Sequence, residues 1–300
     1  MTMKYVLISS TKDQASSTMR EYLIEGEGFC QSGISYYPIN CVNKCDNMME
    51  TNEDRRIEYK IFKSNKYDKM DLLVFDDELI SLTNLDNLGI KDCFLIFLSR
   101  HSSSSKIPTL TSHFTGNFSS NNSLGGNPLE LGLAYPTFQK EYMKNLTRMS
   151  SDFHNYDLTI EATHHGPTSS SNPFIFIEIG SSEEEWKNKL TASDVCKCIL
   201  KTIFDKNNCQ SEKESKIAIG IGGNHYPKKF NELILSSDVA FASIASKYNL
   251  KFVDEEMIKQ MKTRSIEQVT DIYFEKKSLG VEKNRLISIA ESQDLVFNFI

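Results

Sequence analysis

No stretch narrows the possible folds of this chain more than Cys93-Phe94-Leu95-Ile96-Phe97-Leu98-Ser99. A strand with one wet face alternates apolar and polar residues. This one does not, so it belongs inside a sheet covered on both faces, as parallel sheets are. The surrounding pattern agrees. Residues 4–9, 33–39, 56–62, 71–75, 156–163, 174–179 and 216–221 read as strands. Helical spacing falls between them at about 16–25, at 136–151 and from 181 to about 204, with shorter helices near 231–236, 265–276 and 282–290. Ser16-Ser17-Thr18 offers caps for the first helix, Pro136 starts the second, and Ser181-Ser182-Glu183-Glu184-Glu185 opens the third like a capping box. The alternation predicts an α/β fold, three layers α/β/α around a mostly parallel mixed sheet. No repeat or linker divides the 300 residues, so 1–300 are expected to form a single domain with a motif core at 93–230 and a local insertion at 40–54.

Several function classes are excluded early. The apolar runs are far shorter than the roughly 20 residues of a membrane helix. Met1–Ser10 reads as a first strand rather than a leader, which predicts a cytoplasmic protein. The seven cysteines are scattered; neither Cys41/Cys45 nor Cys196/Cys198 has a second pair at zinc-site spacing, so they read as reduced thiols. The net charge of -6 excludes a general polyanion binder and leaves nucleic-acid contact to a local basic patch.

Chemistry concentrates where apolar strands end. Ser99 runs into Arg100-His101-Ser102-Ser103, the 156–163 strand into His164-His165-Gly166-Pro167, Ile177 into Glu178-Ile179-Gly180-Ser181, and Ile221 into Gly222-Gly223-Asn224-His225-Tyr226. Ligands of open α/β sheets bind beyond the carboxyl ends of parallel strands. If these strands are parallel neighbours, Arg100, His101, Glu161, His164, His165, Glu178 and His225 meet in one crevice. The Ser/Asn-rich 101–127 stretch, which holds His101, Lys106, His113 and Asn117, reads as a long ordered loop beside that crevice rather than a linker. Imidazoles with a carboxylate suit Zn²⁺, which turns bound water into hydroxide near neutral pH. On an extended backbone His164 and His165 point apart, so one of them faces the metal or ester and the other faces elsewhere. The same alternation puts Asp157, Thr159, Glu161 and Thr163 on one face. Gly220-Ile221-Gly222-Gly223 has no Walker lysine, and no Gly-x-Ser-x-Gly elbow supports a serine hydrolase.

Taken together, Phe97–Ser103, Leu110–Asn117, Glu161–Pro167, Glu178–Ser181 and Gly220–Tyr226 resemble, in order and spacing, the motifs of the archaeal- and plant-type D-aminoacyl-tRNA deacylases. The resemblance spans roughly residues 1–285. It implies hydrolysis of the ester joining a D-amino acid to the 3′ end of tRNA, D-tyrosyl-tRNA being a typical substrate. It also implies zinc, two ions per chain, a monomeric cytoplasmic enzyme with neither DNA nor membrane as partner, and a fold similar to peptidyl-tRNA hydrolases and nucleoside phosphorylases. The expected metal ligands are His101, His113, His165 and His225. The expected catalytic groups are His164, His165, Glu161 and Glu178. Arg100, Ser102, Ser103, Lys106, Asn117, Asn224 and Tyr226 are expected on the substrate, with Lys228 and Lys229 near terminal phosphates. Two segments depart from the pattern: 40–54, and the long polar 119–127. The alternatives are a non-catalytic aminoacyl-tRNA or metal-binding protein and a peptidyl-tRNA hydrolase- or nucleoside phosphorylase-like enzyme.

Overall fold

The computed structural model describes residues 3–38, 56–208 and 215–300; the expected insertion at 40–54 lies outside them. In chain order the elements are β1 (Lys4–Ser10), α1 (Gln14–Glu25), β2 (Phe29–Pro38), β3 (Arg56–Ser64), β4 (Met70–Phe75), β5 (Cys93–Arg100), β6 (Thr109–His113), α2 (Pro136–Arg148), β7 (Asp157–Ile160), β8 (Phe174–Gly180), α3 (Glu183–Trp186), α4 (Lys189–Asn208), β9 (Lys216–Ile221), α5 (Lys228–Ser236), β10 (Val239–Ala245), α6 (Glu255–Thr263), β11 (Asp271–Phe274), α7 (Lys283–Glu291) and β12 (Val296–Phe299).

These strands build two sheets. The larger has the order β2-β3-β4-β1-β5-β8-β6-β7 and is parallel across β4, β1, β5 and β8. The smaller, β10-β9-β11-β12, is parallel throughout. The α/β class and the mixed, largely parallel sheet are as expected. The row of parallel neighbours is not. β6 pairs antiparallel with β8 and parallel with β7, so β7 runs against β5 and β8, while β9 belongs to the other sheet.

Period-two alternation sorts the large sheet into two cores. Phe94, Ile96 and Leu98 of β5 and Ile175, Ile177 and Ile179 of β8 join the core that contains α1, α2 and α4 residues and continues through the small sheet. Phe97 of β5 and Phe174 and Phe176 of β8 face the other way, onto a second core with Leu79, Leu82, Leu85 and Leu88. Phe97 and Phe176 stack with ring centroids 4.6 Å apart. Burying one such ring contributes about 1.5–3 kcal/mol. Helix α2 touches both sheets, through β6 and β7 on one side and β10 on the other.

Local differences have local causes. Helix α1 begins at Gln14 because Asp13, not the serines, caps it: the Asp13 carboxylate accepts from Ser16 N at 2.9 Å, a contact worth about 1 kcal/mol. The helix expected from 181 to 204 is two helices. Ser182 and Glu185 form the expected capping box on α3, and the Asn188 side chain then accepts from Thr191 N to start α4. The helix expected at 265–276 is absent. Asp254 caps α6 ahead of it, and Asp271–Phe274 is instead a buried strand between β9 and β12. The 156–163 strand ends at Ile160, so Glu161 and Thr163 leave the strand rather than alternate along it.

Candidate active site

Strand parity decides which side chains meet. On β5, Phe97, Ser99 and then His101 follow one face; on β8, Phe174, Phe176 and Glu178 do; on β6, Thr109, Thr111 and His113 do. The register sets Thr111 opposite Glu178 and His113 opposite Phe176. His101, His113 and Glu178 therefore lie together, next to the Phe97–Phe176 core.

The chain after β7 completes the group. Ala162 N donates to the His225 carbonyl at 2.8 Å and Thr163 N to the Ile244 carbonyl at 3.0 Å, which sews this segment to the small sheet. Glu161 is sealed at the seam. Its Oε2 lies 2.6 Å from His225 Nε2 and 3.5 Å from His164 Nε2, and its Oε1 lies 3.2 Å from His101 Nδ1. Glu178 reaches His101 Nδ1 at 3.4 Å and His113 Nε2 at 3.6 Å.

His164 and His165 do not point apart. The His113 ring centroid is 4.2 Å from that of His164 and 4.7 Å from that of His165. His165 adopts a left-handed φ of 43°, which breaks the extended backbone on which the opposite orientation depends. Gly166 permits the turn, since a Cβ there would sit 2.1 Å from Gly126 N. The polar 119–127 loop is thus a brace: Gly166 N donates to the Leu124 carbonyl, and Asn117 Nδ2 ties the Gly125 and Asn127 carbonyls at 2.9 and 3.0 Å. Gly180 has a similar task on β8, where a Cβ would meet the His101 carbonyl at 2.6 Å.

The family's sequence profile, D-aminoacyl-tRNA deacylase, matches residues 89–298, which include every residue of this cluster. The chain belongs to that family. It is 34% identical to the D-aminoacyl-tRNA deacylase of Thermococcus onnurineus (strain NA1), over 97% of this chain and 98% of the relative. It is 33% identical to that of Pyrococcus furiosus, over 94% of each, and 38% identical to that of Ignicoccus hospitalis, over 68% of this chain and 78% of the relative. The fold is shared with a crystal structure of a conserved protein of unknown function, at TM-score 0.81 and 24% identity, covering 99% of this chain and 95% of that one.

In this deacylase-family chain the cluster grades from sealed to open. The side chains of His113 and Glu161 have no exposure, His164 is 27% exposed and His225 is 41% exposed. Electrostatics follow that grading. Burial would lower the His101 imidazole, but the Glu161 and Glu178 carboxylates outweigh it and lift it to about 11. Burial likewise opposes protonation of His113, and Glu178 wins there too. Burial, then the neighbouring His113, hold His164 well below its usual range and bring His165 to about 4, so both are neutral and able to ligate. Burial disfavours ionised Glu161 and Glu178, yet the imidazoles beside them keep both below the usual carboxylate range.

Three sets of side chains present donor atoms within 4.8 Å of one another: His113/His164/His165, Glu161/His164/His225 and His101/Glu161/Glu178. Both Glu161 oxygens and His113 Nε2 are buried without a well-formed hydrogen bond, although ring nitrogens stand close by. Nitrogen and carboxylate donors crowded in this way suit a Zn²⁺-type cation.

The remaining expected site residues divide. Tyr226 joins the cluster, its Oη 2.6 Å from His101 Nε2. Ser102, Lys106 and Asn224 are exposed and Ser103 is half-buried. Asn117 is committed to the brace. Arg100 is not brought in. It has the opposite strand parity to His101, and its guanidinium bonds Glu78 and the Lys12 carbonyl while lying over Trp186. Two contributors escape a reading of motifs. Trp186 donates its indole N–H to the His101 carbonyl at 2.9 Å, and Phe176 packs against both His113 and His165. Parity on β8 was the available signal for Phe176; nothing local marks Trp186.

Proposed function

We propose that this chain hydrolyses the ester of D-aminoacyl-tRNA, such as D-tyrosyl-tRNA, releasing the D-amino acid and tRNA, with zinc bound by the histidine–carboxylate cluster. The observation that carries the reading is this cluster, closed at Glu161 and His113 and open at His225, in a chain of the D-aminoacyl-tRNA deacylase family. When bound, Zn²⁺ supplies a Lewis acid and a water whose pKa falls toward about 7. The residues suited to hold it are His113, His164 and His165, or Glu161, His164 and His225. His164 offers only Nε2, because its Nδ1 faces the Ala162 carbonyl at 2.8 Å. With that one nitrogen to share, the two sets would hold a single ion between them, and the second zinc implied by the resemblance would need Glu178 and His101. His101 is better placed as an orienter: its Nδ1 faces Glu161 and Glu178, and its Nε2 faces Tyr226.

The reaction adds water to the ester carbonyl carbon, breaks the bond from that carbon to the ribose oxygen and returns a proton to the ribose hydroxyl. Glu161 and Glu178, ionised and anchored, are the carboxylates able to accept the water proton or to hold the substrate's α-ammonium. A groove of about 430 Å³ opens next to Tyr226, between Ile107, Asp157, Leu158 and Lys228, and gives the acyl-adenosine end a place to lie. A monomeric enzyme acting in the cytoplasm, beside translation, is part of the same reading, and the family's aminoacyl-tRNA substrate supports it. The test is release of D-tyrosine from D-Tyr-tRNA, with L-Tyr-tRNA as control, before and after chelation. Activity on the D-ester that disappears with chelator and returns with zinc is expected. Hydrolysis unaffected by chelation would remove the metal from the reading, and no hydrolysis by the zinc-loaded protein would remove the activity.

A further inference from the structure

The small sheet is parallel throughout, so the loops that follow β9, β10 and β11 leave along one edge. Backbone hydrogen bonds bind them together there. Lys247 N donates to the Gly223 carbonyl at 2.8 Å, Glu275 N to the Ile221 carbonyl at 2.9 Å, and Gly223 N to Ser278 Oγ at 2.8 Å. The first of these loops carries His225 and Tyr226, so this edge is continuous with the open side of the cluster.

Its charge is unlike that of the rest of the molecule. The segments 224–229, 246–252 and 275–277 contain six lysines (228, 229, 247, 251, 276 and 277) against the single acid Glu275, in a chain whose net charge is -6. The acidic start of α6, Asp254–Glu256, bounds the patch in sequence, and Asp254 is engaged as its helix cap. Elsewhere the lysines divide: Lys4, Lys66, Lys187, Lys197 and Lys201 form ion pairs, while Lys60, Lys63 and Lys106 have none among the described residues, so what sets this edge apart is the clustering of six lysines around one acid. Among the described residues none of the six edge lysines has a carboxylate within ion-pair distance. Aromatic rings accompany them instead. Lys247 lies 5.1 Å over the exposed Tyr248, Lys251 4.8 Å over the exposed Phe252, and Lys276 5.0 Å over Phe299.

The 246–253 turn is also held in place. Arg285 of α7 donates to the Val253 carbonyl at 2.6 Å and to the Leu250 carbonyl at 2.7 Å, and Glu282 fixes its Nε. Unpaired lysines on a fixed scaffold, interleaved with exposed rings, match a phosphate backbone and unstacked bases. A protein partner of acidic surface would use the charge but leave the rings without a stacking partner.

We propose that this edge of the small sheet, centred on Lys247, Tyr248, Lys251, Phe252, Lys276 and Lys277, is the surface on which the acceptor arm of the tRNA docks, delivering its 3′ end to His225 and Tyr226. The proposal rests on the substrate class proposed above. Its test is the fourfold variant K247A/K251A/K276A/K277A beside K60A/K63A, a change on β3 in the other sheet. Binding of uncharged tRNA is measured across a salt series, and turnover is measured on D-Tyr-tRNA and on D-tyrosyl-adenosine.

The fourfold variant is expected to bind tRNA at least tenfold more weakly. Its log affinity–log salt slope should be shallower by about 3, from ~0.7–0.9 per phosphate contact. KM for D-Tyr-tRNA should rise by the same factor, with kcat and the D-tyrosyl-adenosine rate unchanged and K60A/K63A like the parent. An affinity loss below tenfold, a slope that changes by less than about one phosphate contact, or an equal loss in K60A/K63A would overturn it. A parent protein that binds tRNA through this edge yet hydrolyses no D-ester would sink the proposed activity while leaving the docking surface standing.

Discussion

The two sheets build the two sides of the cluster under different constraints. The large sheet supplies His113 and Glu178 from strands whose register fixes them and His101 from the residue after β5, held by its N–H to the Ile179 carbonyl, and their side chains are nearly or fully buried. The small sheet supplies His225 and Tyr226 from a loop, and His225 is 41% exposed although it stands 2.6 Å from Glu161. Buried charges that touch only each other must be matched within the protein, because water cannot compensate them. Exposed groups tolerate mismatch and can meet a substrate. The floor should therefore govern chemistry and integrity together, and the rim should govern substrate handling.

Substitutions can break that division. Glu161→Gln keeps the volume but removes the charge that His101, His164 and His225 share; kcat/KM for D-Tyr-tRNA is expected to fall about 10³-fold, within the range for a lost proton-transfer group, and the melting temperature to fall as well. Retention of a tenth of the activity would end the case for a catalytic floor. Next, His164→Ala should cost about 100-fold and His225→Ala about 10-fold, with bound zinc by elemental analysis lost in the first and partly kept in the second, since His164 belongs to two of the candidate ligand sets. Equal losses would erase the difference between the sides. Tyr226→Phe deletes one hydroxyl contact to His101. One hydrogen bond is worth about 1 kcal/mol, so a loss of roughly fivefold in kcat/KM is expected, with no change in melting temperature; a drop in stability would place Tyr226 with the floor.

The smallest effect concerns pH. In metal-free protein His101 is raised from 6.5 to about 11 by Glu161 and Glu178. A raised folded pKa contributes stability that is complete below the unfolded value and is lost as pH climbs through the folded one. The melting temperature of chelator-treated wild type should thus fall between pH 6.5 and about 11 by a few degrees more than that of His101→Gln. Parallel curves would show that His101 carries no such proton.

Much of this is legible in the sequence. Continuous apolar runs mark β5 and β8, and the polar residues after strands together with the 101–127 stretch name the five histidines, of six in the chain, that the structure gathers. The ordered character of 101–127 was also readable, though its purpose as a brace under Gly166 was not. Reading each strand end as a whole puts Arg100 in the crevice, whereas counting parity from Phe97 separates it from His101. The orientation of His165 could not be counted, because alternation fails once a residue enters the left-handed region.

What the sequence alone determined is composition of the site and local periodicity: which strands are buried, which faces are apolar, and that histidines and carboxylates crowd their ends. Those follow from burial and from the pleat, which act over a few residues. Only the tertiary structure decided that β6 reverses against β8, that β9 belongs to a second sheet, and that the chain after β7 is sewn to that sheet through Ala162 and Thr163. Pairing direction and sheet membership depend on contacts between residues far apart in sequence, and no local pattern encodes them.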